Sequence, residues 1–191
     1  MSLFDDEPAG PPRAGGDWEN HRNHRDPQSG PAQDEVGVLA LSSFLLARTG
    51  DVVVAVRGIT AYSDGLLLSV VVFFADEQKD EELGWAMADF SRSPGRFRFG
   101  GVFADGRSVT SGTRDAPKVQ VADSPALVLL DTRVSALVWD GSYWLNPLPP
   151  PGPLVLGCRW ADRGIPETLV EIDPTPLLTA AATSTPVWRA P

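Results

Sequence analysis

Short apolar segments separated by turn-forming residues run through the chain from Val36 onward. Residues 51–61 alternate with a period of two, which is typical of a β-strand. The alternation predicts one face formed by Val52, Val54 and Val56 and another formed by Val53, Ala55 and Ile59. Residues 66–75 are almost continuously apolar, as expected of a strand covered on both faces. The intervening Tyr62-Ser63-Asp64-Gly65 predicts a turn, so these two strands should form a hairpin.

The same pattern predicts further strands and a single helix. Strands are expected at 96–104, 107–113, 127–139, 142–145, 154–160 and 167–172, with Asp-Gly turns at 105–106 and 140–141. Asp173 is the predicted N-cap of a short helix that starts at Pro174 and stops before Pro186. Many short strands and one late helix, without βαβ alternation, predict an all-β fold. We expect an antiparallel two-sheet sandwich, immunoglobulin-like or jelly-roll-like.

The first 35 residues differ in composition from the remainder. They hold 8 acidic residues and 3 arginines, and thus −5 of the chain's formal charge of −9. With few apolar side chains to bury, residues 1–35 are predicted to form a disordered acidic tail in front of a β-sandwich domain at 36–191. His21 and His24 lie in this tail without a cysteine or a further histidine beside them, so no metal site is predicted.

Charge and apolar content exclude several classes of partner. The chain has 25 acidic residues against 16 basic ones, which argues against binding the phosphate backbone of a nucleic acid. No apolar run is long enough for a membrane helix, and no secretory signal follows Met1, so we expect a cytoplasmic protein without a membrane partner. The single cysteine, Cys158, is expected to be a buried apolar residue rather than a reactive thiol.

The sequence offers little for catalysis. It contains no phosphate-binding loop, no HExxH and no CxxC, and no catalytic residue or cofactor is predicted. A carboxylate-dependent hydrolase acting on a glycan or an ester is the alternative, because paired acids perform such chemistry. The two acids that look strand-borne, Glu167 and Glu171, are four residues apart and thus ~13 Å apart along a strand.

A basic strand face supplies the first binding candidate. In Arg96-Phe97-Arg98-Phe99 the period of two places both phenylalanines on one face and both arginines on the other. The phenylalanine face should enter the core. Arg96 and Arg98 then either bind a carboxylate- or phosphate-bearing partner or form a solvated face next to the acidic residues 76–89.

Aromatic residues around Asp140-Gly141 supply the second candidate. If this dipeptide is a two-residue hairpin loop, Trp139 and Trp144 share one side of the sheet and Tyr143 takes the other. Both faces are then apolar. One of them either packs internally, for example against the proline-rich residues 147–153, or forms a flat aromatic platform for a sugar ring or a proline-rich peptide.

The segment from Trp144 to Trp188 resembles an actinobacterial family of small proteins that has no established activity. The resemblance rests on Trp-Leu-Asn-Pro-Leu-Pro-Pro-Pro-Gly-Pro at 144–153, on Gly-Ile-Pro-Glu-Thr at 164–168, and on similar segments at 61–65 and 99–106. It covers about residues 50–190 and implies that the proline-rich segment is a structural signature of the fold. It implies no catalytic or cofactor-binding residue.

Taken together, the sequence predicts a non-catalytic binding or interaction module for an unknown protein partner or small ligand. A homo-oligomer is compatible with it. Besides the hydrolase, a third interpretation is that the tail recruits partners while the domain only anchors it.

Overall fold

The computed structural model describes residues 26–77, 96–111 and 124–188. Two large antiparallel sheets, a two-stranded antiparallel pair and one short α-helix are the main elements of this part of the chain, so the predicted all-β sandwich is confirmed. No helix in the described ranges is long and apolar enough to cross a bilayer.

The larger sheet has six strands. They are β2 (Val38–Leu41), β3 (Phe44–Arg48), β4 (Val52–Tyr62), β5 (Gly65–Phe74), β8 (Ala126–Ser135) and β9 (Val138–Asn146). The order across the sheet is β2-β4-β5-β9-β8, and β3 also pairs with β4. Tyr62 lies opposite Gly65, which confirms the hairpin with Ser63-Asp64 at its tip.

The smaller sheet has four strands, β6 (Arg98–Val102), β7 (Ser108–Thr110), β10 (Leu154–Trp160) and β11 (Ile165–Ile172), in the order β11-β10-β6-β7. The predicted Asp105-Gly106 turn joins β6 to β7. Gly106 has a φ of 84°, a left-handed conformation that glycine adopts without steric cost, and Asp105 Oδ1 accepts a hydrogen bond from the Arg107 amide at 3.0 Å.

Helix α1 (Thr175–Ala182) packs against β2 and β4. Pro174 is the N-cap and the helix begins at Thr175, one residue later than predicted. Asp173 Oδ1 still accepts a hydrogen bond from the Thr175 amide at 2.9 Å and so satisfies a donor of the first turn. The helix ends before Pro186. That proline lies in β12 (Thr185–Pro186), which pairs with β1 (Glu35–Val36) and so joins the two ends of the described chain.

Aromatic rings from both sheets meet in the core. Phe99 of β6 lies 5.0 Å from Tyr143 of β9 between ring centroids. Phe97, next to it, lies 6.4 Å from Trp139 and 5.5 Å from Trp160. All five side chains are buried, so the predicted phenylalanine core face is confirmed.

The predicted turn at Asp140-Gly141 is wrong, because β9 runs straight through it. The chain turns earlier, at Ala136-Leu137, where Ser135 pairs directly with Val138. Long-range contacts override the local turn preference. Asp140 forms an ion pair with Arg57 of β4 at 2.6 Å, and the Trp139 ring lies so close to Gly141 that a Cβ there would be 2.0 Å from it.

The predicted faces of β4 are correct only up to Val56. The register shifts between Val56 and Gly58, so Arg57 lies in a β-bulge and Ile59 joins Val54 and Val56 in the core. An extra residue in one strand reverses the alternation beyond it, which a period of two does not anticipate.

Part of the predicted tail packs on the domain. Residues 27–29 form a 3₁₀ turn, and the Pro27 carbonyl accepts a hydrogen bond from Trp144 Nε1 at 2.7 Å. Glu35 belongs to β1. Residues 1–25, with His21 and His24, and most of the acidic segment 76–89 lie outside the described residues, so the disorder of the tail stays a prediction.

Candidate binding groove

The outer face of the smaller sheet carries a groove of about 330 Å³. Side chains of β6 and β10 form its floor, β7 borders it on one side and β11 on the other. Phe99 and Cys158 point into the core. Because side chains alternate along a strand, the residues on either side of them point toward the groove, namely Arg98 and Gly100 on β6 and Gly157 and Arg159 on β10.

Two glycines form the middle of the floor. Gly100 and Gly157 lie directly opposite each other on β6 and β10. A Cβ on Gly100 would be 2.5 Å from the Val109 carbonyl oxygen, and one on Gly157 would be 2.5 Å from Leu169 Cδ2. The neighbouring strands β7 and β11 thus approach both positions closely. The two strands carry no side chain of their own at these positions, and the Leu169 side chain lies over Gly157.

Two arginines stand side by side at one end of the floor. Arg98 and Arg159 are directly opposed on the antiparallel strands β6 and β10. Cβ atoms of such a pair are roughly 5 Å apart, and like charges in this position destabilise a sheet. Neither guanidinium forms an ion pair or hydrogen bond with any residue that the structure describes. Glu167 of β11 lines the same groove, so the three side chains carry a net charge of +1.

The opposite end of the groove is apolar. Val102 and Val155 are cross-strand partners, and Val102 is 41% exposed. Leu169, which stands over Gly157 from β11, is 60% exposed. The arginine pair and the valine pair are four residues apart along β6, and hence separated by ~13 Å. The groove therefore presents positive charge at one end, two glycines with Leu169 over one of them in the middle, and the valine pair at the other end.

The structure brings together only part of the basic site predicted from sequence. Arg98 lies in the groove, whereas Arg96 is half-buried ahead of β6 and does not line it. Arg159 takes the second position, although the sequence did not single it out. The apolar residues on either side of it, Cys158 and Trp160, indicate that Arg159 points outward. Its pairing with Arg98 could not be predicted, because it depends on which strands are neighbours.

The structure decides between the two interpretations of the aromatic residues around Asp140-Gly141. Trp139, Tyr143 and Trp144 are 1%, 0% and 0% exposed. Because β9 continues through Asp140-Gly141, Trp139 and Tyr143 share the core face and Trp144 lies on the other. Trp144 is covered there by the turn at 27–29 and by the edge of Tyr62, whose ring centroid is 5.7 Å away. Internal packing, the alternative considered for these residues, is what the structure shows.

Acidic side chains in the described residues do not form a buried pair. The buried polar side chains there are Ser111 and Asn146, and Glu167 and Glu171 are both exposed.

Burial does affect Tyr143, since its hydroxyl has no hydrogen-bond partner in the core and desolvation raises its pKa far above the ordinary value. This hydroxyl faces the sandwich interior and not the groove.

Cys158 lies beneath the groove floor, and its burial predicts an inert thiol. Desolvation raises the pKa of the thiol from 9.0 to about 12. We expect iodoacetamide to label the folded protein very slowly at neutral to mildly alkaline pH and to label the urea-unfolded protein at the rate of a free cysteine. Fast labelling of the folded protein would contradict the burial of this thiol.

The same shift gives stability a pH dependence. Below pH 9 the thiol is protonated in both states, whereas between pH 9 and pH 12 it ionises mainly in the unfolded chain. The free energy of unfolding should therefore fall as the pH rises through this window, and it should fall less steeply in Cys158→Ala.

Comparison of the chain with protein-family models, curated proteins and solved structures found no match. The resemblance to an actinobacterial family thus stays a prediction. The groove has to be interpreted from its own chemistry.

Proposed function

We propose that the protein is a non-catalytic binding module that holds an acidic segment of a protein partner in the groove of the smaller sheet. The observation that carries this proposal is the pair Arg98 and Arg159, which are directly opposed and lack an anionic partner among the described residues. A carboxylate placed between the two guanidinium groups offsets their repulsion and accepts charge-assisted hydrogen bonds from both.

The length and floor of the groove favour an extended peptide. At Gly100 the floor carries no side chain in the path of a peptide, and the separation of ~13 Å between the charged and apolar ends matches about four extended residues. The expected ligand has one or two acidic side chains and, four positions away, an apolar side chain that contacts Val102 and Val155.

The test is the affinity of a fluorescently labelled peptide that contains two adjacent glutamates followed four positions later by leucine. The double variant Arg98→Glu/Arg159→Glu is expected to bind it at least ~100-fold more weakly, since losing a hydrogen bond to a charged group costs about 1.4 kcal/mol or more, a factor of ten, at each arginine. Fluorescence anisotropy measures this change.

The matched control is Arg48→Glu/Arg133→Glu, which changes the net charge equally at two exposed arginines outside the groove. This variant should bind within about threefold of the wild type, because screening weakens the effect of distant charges. Equal losses in the two double variants, or unchanged binding when glutamine replaces both peptide glutamates, would show that the groove does not recognise acidic side chains.

A further inference from the structure

The outer face of the larger sheet carries a second groove of different chemistry, with a volume of about 390 Å³. Its floor is a row of small residues across three neighbouring strands, because Gly58 lies opposite Ser69 and Ser69 lies opposite Ser142. Larger side chains lie on either side of this row. Leu67 and Trp144 pair on one side, and Val71 and Asp140 pair on the other.

Polar groups without partners converge on this row. The hydroxyls of Ser69, Ser142 and Thr60 and the carboxylate of Asp131 form no hydrogen bond or ion pair with the described residues. Asp131 lies directly opposite Ser142, at the β8 end of the row. The three hydroxyls are half-buried and Asp131 is exposed. Each hydroxyl can donate one hydrogen bond and accept two, so a ligand can replace the water bound to it. A ligand with several hydroxyls would satisfy them together.

The charges around the groove cancel. Arg57 and Asp140 form an ion pair at 2.6 Å along one wall, and Arg133 lies opposite Asp140 on β8. With Asp131 the lining carries two positive and two negative side chains. An anion would meet the two carboxylates and a cation the two guanidinium groups, so the electrostatics favour a neutral ligand. Carboxylates and guanidinium groups are well suited to the neighbouring hydroxyls of such a ligand, since each makes two parallel hydrogen bonds.

We propose that this second groove binds a neutral saccharide. The volume is within the range of roughly 300–1,000 Å³ that small-molecule sites occupy, toward its lower limit. Leu39, 68% exposed at the β2 end, supplies an aliphatic contact for the apolar face of a sugar ring. The site lies on the opposite side of the sandwich from the arginine groove, and the two proposals are independent.

The test is a titration of the isotope-labelled full chain with neutral sugars, in which the amide chemical shifts are measured. The panel contains glucose, galactose, mannose, N-acetylglucosamine and their common disaccharides. At least one of these neutral sugars should cause saturable shifts at Ser69, Ser142 and Asp131. The variant Ser142→Ala/Asp131→Asn should weaken that binding at least tenfold. The matched variant Ser108→Ala/Glu167→Gln, which removes a hydroxyl and a carboxylate from the other sheet, should leave it unchanged.

Three results would overturn the proposal. One is the absence of saturable shifts in this groove with every sugar in the panel. Another is equal affinity in the Ser142→Ala/Asp131→Asn variant, provided its spectrum is that of a folded protein. The third is tighter binding of charged counterparts, glucuronate or glucosamine, at the same amides.

Discussion

Trp139→Ala is expected to lower the free energy of unfolding by about 3–5 kcal/mol, the range found for removing a buried aromatic ring from a core. The Trp139 side chain is 1% exposed and contacts Phe97 from the other sheet and Tyr143 from its own strand. Its removal leaves a cavity between the two sheets, where the surrounding β-strands have little freedom to collapse. Urea unfolding followed by circular dichroism measures the loss.

Trp188→Ala is the matched control, because this tryptophan is 60% exposed near the C-terminal end of the described chain. Its replacement should change the free energy of unfolding by less than about 1 kcal/mol. If the two variants were equally stable, Trp139 would not lie between the sheets.

Gly141→Ala is expected to destabilise the fold by about 1–3 kcal/mol or more, as overpacking does in a rigid core. The added methyl group would lie 2.0 Å from Cη2 of Trp139 and within 2.8 Å of two further ring atoms. The indole ring would have to move, and with it the contacts to Phe97. Thermal and urea unfolding of the purified variant measure the change.

A double-mutant cycle identifies the cause of that loss. In a Trp139→Ala background the same Gly141→Ala substitution should cost little, since the ring that opposes the methyl group is gone. Gly50→Ala serves as the control, because a Cβ at Gly50 has nothing within 4 Å. Additive effects of the two substitutions, or a neutral Gly141→Ala, would contradict the close packing of the Trp139 ring against Gly141 on the core face of β9.

Local patterns predicted most of the strands and the hairpins at 62–65 and 105–106, but not the pairing of strands distant in sequence. The turns around Asp64-Gly65 and Asp105-Gly106 were recognised because their long-range contacts agree with the local preference, as where Asn146 Nδ2 donates a hydrogen bond to the Asp64 carbonyl. At 140–141 the ion pair from Arg57 and the ring of Trp139 outweigh the turn preference, and the actual turn at Ala136-Leu137 has no comparable sequence signal. Because the turn lies earlier in the chain, Trp139 and Trp144 point to opposite faces of β9 and cannot form one platform.

The candidate groove could likewise be predicted only in those features that depend on a single strand. The alternation around Phe97 and Phe99 correctly placed Arg98 on the outer face, because that inference needs only one strand. Arg159 is 61 positions away along the chain from Arg98, and only the pairing of β10 with β6 makes them neighbours. The polar row of the larger sheet was hidden for the same reason, since Gly58, Ser69 and Ser142 come from three separate strands.

The central claim is that the paired arginines of the smaller sheet receive an acidic peptide segment. The most direct measurement is a map of amide chemical-shift changes in the isotope-labelled full chain on titration with the diglutamate-leucine peptide. We expect the largest shifts along β6 and β10, at Arg98, Gly100, Gly157 and Arg159, and we expect them to weaken as salt concentration rises. Saturable shifts centred on the other sheet, or none at concentrations that saturate the anisotropy signal, would contradict the claim.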